Sequence, residues 1–209
     1  MLVDLTIKEF LGKVAASDPV PGGGSVSALN GAVASALATM VTGLTIGKKG
    51  YEAHEELMRL LQCLAQEQQA CFLTDIDRDS AAYNRVFDCF KLPKTTDEEK
   101  AVRSAAIQEA TKLATLVPMQ IARRAYELMN VIADVARLGN RNAVTDACVA
   151  MMTARSSVLG ALMNVRINLG SLKDKAFVEQ LQAEADELER ATYQKEKELL
   201  DAVNQELRI

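Results

Sequence analysis

The 209-residue chain contains no tryptophan, and aromatic residues make up only 4% of it. A core so short of aromatics must be filled by Ala, Leu, Val and Met, which, Val aside, form helices more readily than strands. Proline is equally scarce: the four, at positions 19, 21, 93 and 118, leave long stretches without a strong breaker and exclude a fold of many short strands. The single histidine, His54, excludes a His-rich metal site and is read as a helix-surface residue. Cys63, Cys71, Cys89 and Cys148 show no C-x-x-C spacing. On one helix Cys63 and Cys71 would stand about 12 Å apart, too far for a disulfide. With no basic, apolar leader at the N-terminus, a reducing cytoplasm is the expected compartment. An excess of positive charge is also missing: the net charge of −4 repels a phosphate backbone, so no nucleic-acid partner is expected.

Charge of either sign is absent between Asp18 and Lys48. By length alone this run could cross a bilayer. Its content argues against that, because Ser27, Asn30, Ser35, Thr39 and Thr42 recur among Ala and Gly, and its first third is the turn Pro21-Gly22-Gly23-Gly24-Ser25. A helix buried on all sides in a soluble bundle is expected, with no membrane partner.

Against these absences stands a strong helical periodicity. Thr6 caps a short helix with the stripe Ile7, Phe10, Leu11 and Val14, stopped at Ser17-Asp18-Pro19. The uncharged helix runs from Gly24 or Ser25 to Leu44. A long helix follows over 52–90, its stripe traced through Leu57, Leu61, Leu64, Gln68, Phe72, Asp75, Asp79, Ala82, Val86 and Phe90. Thr96 and Glu99 form a capping box for a helix to Leu138, with a kink expected at Pro118. A fifth long helix spans 142–169, and a charged final one spans 173–207 with a thin apolar stripe. The expectation is an all-α bundle of about five long helices plus a short N-terminal helix, in a single domain over 1–209.

Three groups of residues could carry chemistry. The glycines before Ser25 free backbone N–H groups at a helix start, where the dipole favours an anionic or electron-rich atom, although by themselves they are better explained by a tight connection with Ser25 as N-cap. Asp75, Asp77 and Asp79 resemble the start of a calcium loop, but that loop needs Gly sixth and Glu twelfth, where Ser80 and Val86 stand. On a helix Asp75 and Asp79 instead fall on the apolar stripe, with Asp79 sharing its face with Phe72, Ala82, Val86 and Phe90. Burial there is costly unless the carboxylate is paired, and it moves the pKa toward an acid/base range. Asp146, Asn140, Asn142, Asn164 and Asn168 are further polar groups beside apolar helix positions and require partners, either other helices or a polar ligand. Met151, Met152 and Met163 are read as core packing.

Taken in order, Pro21-Gly22-Gly23-Gly24-Ser25, Gly47-Lys48-Lys49, Asp79-x-x-Ala82-Tyr83, Leu92-Pro93-Lys94, Gly139-Asn140-x-Asn142-x-x-x-Asp146-Ala147 and Asn164-x-x-Ile167-Asn168-Leu169 resemble the cyclodeaminase/cyclohydrolase family. That family comprises the C-terminal half of formiminotransferase-cyclodeaminase and its stand-alone bacterial relatives. The resemblance implies a helical homodimer or higher homo-oligomer that acts on a one-carbon tetrahydrofolate, with no metal and no cofactor, and without a formiminotransferase domain. Two reactions occur in the family: closure of 5-formiminotetrahydrofolate to the 5,10-methenyl form with loss of ammonia, and hydrolysis of the methenyl form to 10-formyltetrahydrofolate. The family's catalytic aspartate falls on Asp79. Gly22, Gly23, Gly24 and Ser25 become a ligand cradle, and Asn140, Asn142, Asn164, Asn168 and Asp146 become pterin or charge-orienting groups. Lys48 and Lys49 suit the folate glutamate carboxylates; Asp75 receives no role. A non-catalytic oligomerisation or folate-binding module is the competing expectation.

Overall fold

The computed structural model describes residues 1–207. It contains α1 (Ile7–Val14), α2 (Gly23–Gly43), α3 (Glu55–Phe90), α4 (Asp97–Leu138), α5 (Val144–Leu169) and α6 (Lys175–Leu207), with no strand among the described residues. The all-α expectation of five long helices and a short first one is therefore met. Thr6 and Thr96 both close capping boxes, with Glu9 and Glu99. Three short 3₁₀ turns escaped the periodicity, at Leu2–Asp4, Glu52–His54 and Arg141–Ala143. The first is held by the Asp77 carboxylate, which accepts from the backbone N–H groups of Leu2 (2.7 Å) and Val3 (3.5 Å).

The uncharged α2 is central because its small residues let neighbouring backbones come close. Ala28, Ala34, Ser35 and Ala38 are buried where α2 meets α3, α4 and α5, and Gly31 leaves room for the fully buried ring of Phe72. Met58, Met119, Ile121, Leu128, Met129, Ile132, Met151 and Leu162 fill the remaining interior, as a core poor in aromatics requires. α2 and the segment Arg141–Leu169 are long and apolar enough to cross a membrane, but the bundle buries 50% and 44% of their most apolar windows. α6 packs its thin stripe of Leu181, Ala185, Thr192 and Val203, and ties its charged side to α5 through Arg166–Asp186 and Arg155–Glu196.

The stripe on α3 differs from its sequence reading in one informative way. Met58, Leu61, Ala65, Phe72, Asp75 and Ile76 are buried, Leu57 and Leu64 are not, and nothing beyond Ser80 is buried. The last three turns of α3 therefore project past the core. Their apolar residues Val86 and Phe90 form a wall of a cleft instead of packing in the interior. α4 continues unbroken through Pro118. That proline has no N–H to give the Ala114 carbonyl one turn earlier, and the Asn168 side chain supplies the missing donor at 3.0 Å.

Candidate active site

A cleft of about 460 Å³ opens where the N-terminus of α2, the projecting end of α3, the first half of α4 and the end of α5 converge. α3 contributes Asp79, Tyr83, Val86 and Phe90; α4 contributes Ile107, Thr111 and Ala114; α5 and its exit contribute Asn164, Ile167, Asn168 and Ser171. Gly22, Gly23 and Gly24 form the remaining edge with Pro19 and Val20. The walls are mainly apolar, and Asp79 is the one ionisable carboxylate among the lining residues.

Asp79 is held by the start of α2. The N-cap of that helix is Gly22, which offers no side chain, so the first-turn N–H groups need an outside acceptor. The Asp79 carboxylate reaches that turn from α3. The Ser25 hydroxyl lies 3.2 Å from Oδ2, and the Ser25 backbone N–H also stabilises the charge. Gly24 makes this approach possible: a Cβ there would fall 2.5 Å from Oδ2 and nearer still to Oδ1. Gly23 is likewise packed against Asn164, whose Nδ2 would stand 3.1 Å from an added Cβ. Ser25 itself is fully buried behind Asp79, touching Ile76 O at 2.9 Å and Ser80 Oγ at 3.1 Å. It orients the carboxylate from beneath and is neither the N-cap nor part of the cleft lining.

Burial pushes the Asp79 carboxyl above the usual aspartate range, the two Ser25 contacts oppose that rise, and the neighbouring charge of Asp75 adds to it. Asp75, one turn earlier, is buried and paired with Arg124 of α4, while Arg78 lies at 3.3 Å on its other oxygen. The result is a carboxylate pair with two roles: Asp75 is neutralised by guanidinium partners, whereas Asp79 faces a cleft with its proton held more tightly. A carboxyl whose proton is held more tightly than usual is better suited to accept a proton and return it.

The structure brings Gly22, Gly23, Gly24, Asp79, Asn164 and Asn168 together, with Ser25 behind them. Asn164 donates to Gly160 O at 2.8 Å and Asn168 to Ala114 O, so each amide is fixed by one bond to the helices around it. Lys48, Lys49, Asn140, Asn142 and Asp146 do not line this cleft. They belong to the opposite end of α2, about 30 Å away along its 21 residues. There Asn140 is buried and does structural work: its N–H donates to Thr45 Oγ1 (2.9 Å), its Nδ2 to Leu44 O (3.1 Å), and its Oδ1 accepts from Asn142 N (3.1 Å). Sequence reasoning missed Tyr83, Ile107, Thr111, Ile167 and Ser171 as lining residues. Tyr83 was within reach, since it follows Asp79 by four residues on one helix face.

Comparisons with known proteins identify the family. A family model described as formiminotransferase-cyclodeaminase matches residues 6–187. The methenyltetrahydrofolate cyclohydrolase of Methylorubrum extorquens is 42% identical over 84% of each chain. The formimidoyltransferase-cyclodeaminase of Mus musculus is 34% identical over 85% of this chain, which spans only 33% of that longer protein. The crystal structure of formiminotetrahydrofolate cyclodeaminase from Thermotoga maritima superposes with a TM-score of 0.85 at 30% identity, covering 97% of this chain and 99% of that one. The chain belongs to the formiminotransferase-cyclodeaminase family.

Proposed function

We propose that this chain is a one-carbon tetrahydrofolate enzyme in which Asp79 moves protons at the carbon bridging N5 and N10. The observation that carries the reading is the Asp79 carboxylate, anchored at the α2 N-terminus and the one carboxylate lining a mainly apolar cleft. In hydrolysis, water attacks the cationic methenyl carbon and loses a proton to Asp79. The carbon–N5 bond then breaks as Asp79 returns that proton to N5, and the second water proton leaves to solvent as the formyl C=O forms. In cyclodeamination, N10 attacks the protonated formimino carbon and its proton passes to Asp79. Asp79 delivers it to the departing nitrogen, which leaves as ammonia while the methenyl cation forms. The negative charge of Asp79 also stabilises the cationic centre in both directions.

The likeness to the Methylorubrum cyclohydrolase, a protein of similar span, supports hydrolysis first; the near-complete overlay on the Thermotoga cyclodeaminase supports deamination as the second reading. Offering purified protein each folate in turn and following methenyltetrahydrofolate by absorbance separates them. Disappearance means hydrolysis, and appearance from the formimino form means deamination. Protein that binds methenyltetrahydrofolate without consuming it, and makes none, would be the non-catalytic folate-binding module.

We further assign residues 1–209 to one helical domain, working in the cytoplasm as a homodimer or higher homo-oligomer. The four cysteines are free thiols, which supports a reducing setting. A second copy is supported by the outer faces of the antiparallel neighbours α2 and α5. Val33, Met40 and Leu44 on one, and Val149, Met152, Met163 and Ile167 on the other, are exposed. Such an apolar surface suits a homodimer interface better than solvent. The charged variant Met40→Glu is expected to shift sedimentation toward the monomer; wild-type protein sedimenting as a monomer would remove the assembly from the account.

A further inference from the structure

Two cations at the mouth of the cleft have no role in proton transfer and no carboxylate partner among the described residues: Arg103 and Lys173. Arg103 stands one turn before Ile107 on α4. Its guanidinium donates from Nε (3.3 Å) and Nη2 (3.1 Å) to the Phe90 carbonyl and lies 5.5 Å from the centre of the Phe90 ring. Phe90 and Ile107 both line the cleft. Lys173 follows the lining residue Ser171 by two positions. Its backbone N–H donates to Gln108 Oε1 (2.8 Å), Gln108 Nε2 donates to Ser171 O (3.0 Å), and its ammonium reaches Ser104 Oγ at 3.3 Å. Ser104 adjoins Arg103, so bonds between α4 and the α5–α6 turn bring both cations onto one rim. Lys112 nearby is already engaged by Asp174 at 2.9 Å.

We propose that Arg103 and Lys173 bind the carboxylate tail of the substrate. This rests on the folate reading above, since a folate carries its anionic glutamate beyond an aminobenzoyl spacer. Asp79 and Phe90 are eleven residues apart on one helix, roughly 16 Å, a span suited to a reacting carbon at one end and tail carboxylates at the other. The Phe90 and Ile107 walls between them are apolar, as a spacer ring requires. In a protein of net charge −4, two cations free of acidic partners at a cleft mouth set the local sign that draws an anion in. Arg103 keeps its remaining N–H donors for a bidentate carboxylate contact. The sequence reading gave this task to Lys48 and Lys49, which stand at the far end of α2.

The test compares methenyltetrahydrofolate with methenyltetrahydropteroate, which lacks the glutamate, as substrates for wild type, Arg103→Ala/Lys173→Ala and Lys48→Ala/Lys49→Ala. Wild type is expected to show a KM about tenfold or more lower for the glutamylated form, the scale of one charge-assisted contact. The Arg103/Lys173 variant is expected to lose that preference with kcat retained, and Arg103→Lys to recover part of it. A structural defect alone would move both substrates equally and would overturn the proposal, as would an undiminished preference in the double variant. Loss of preference in the Lys48/Lys49 variant instead would move the tail to the loop after α2. If wild type consumes neither methenyl compound, the same comparison is made with 5-formiminotetrahydrofolate and its pteroate analogue, and wild-type protein that turns over none of the four would remove the folate reading itself.

Discussion

Gly24→Ala separates the fold from the chemistry more sharply than any other single change. The added methyl carbon would lie 2.5 Å from Asp79 Oδ2 and nearer to Oδ1, whereas ordinary contact begins at 3.4 Å. The carboxylate must therefore retreat by about 1 Å or swing away from the start of α2, and a displacement of that size at a reacting group costs on the order of a hundredfold in rate. The fold has an easy escape, because the obstructing atoms end a short side chain at the edge of a cleft. Stability loses the bond from the buried Ser25 hydroxyl to Asp79, about 1 kcal/mol, and regains up to about 1 kcal/mol from Ala over Gly in the helix. Gly24→Ala should thus melt within a few degrees of wild type while kcat falls about a hundredfold. Turnover by methenyltetrahydrofolate absorbance, paired with a thermal melt, reads both. A variant that keeps wild-type turnover would refute the claim that close approach of Asp79 to the helix start matters.

Three other outcomes follow from the same geometry. Arg124→Ala leaves the Asp75 carboxylate, 3% exposed, with only the more open Arg78, and should cost about 3 kcal/mol in urea unfolding; a loss below about 1 kcal/mol would mean the pair behaves like a surface bridge. Asn168→Ala strands the Ala114 carbonyl at a cost of about 1–3 kcal/mol, and Asn168→Ala/Pro118→Ala should recover much of it by restoring the helical N–H, so strictly additive losses in denaturation would contradict the pairing. Because the native Asp79 pKa is raised, its contribution to stability is fully present below the unfolded aspartate range and is lost as pH rises through the native value. Asp79→Asn cannot ionise, so its melting temperature should gain on wild type as pH climbs through that window, and a constant gap would show that Asp79 titrates as it does in the unfolded chain.

Much of this architecture was legible because its signals are local. Thr6 with Glu9 and Thr96 with Glu99 mark helix starts within four residues, and the uncharged run marks α2 as the central helix. Asp79 stood out because a carboxylate recurs in register with Phe72, Val86 and Phe90, and the structure gives the reason: α3 outruns the core there, so its stripe changes from packing surface to cleft wall. What stayed hidden depends on contacts distant in sequence. Asp75 finds Arg124 forty-nine positions later, and Asn168 finds the carbonyl that Pro118 leaves without its helical donor. Ser25 read as a cap because it follows the glycines, yet Gly22 is the N-cap and the Ser25 hydroxyl turns inward to Ile76, Asp79 and Ser80 on another helix. Lys48, Asn140 and Asp146 share motifs with the cleft residues in chain order, but order along a sequence does not reveal that a 21-residue helix separates them.

The central claim is that Asp79 carries the proton in a folate reaction, and the most direct measurement is turnover of methenyltetrahydrofolate and 5-formiminotetrahydrofolate by wild type and Asp79→Asn, each first verified as folded by circular dichroism. The account predicts that wild type consumes or forms methenyltetrahydrofolate and that the variant binds it but turns it over at least about a hundredfold more slowly. An Asp79→Asn protein with wild-type turnover would contradict it.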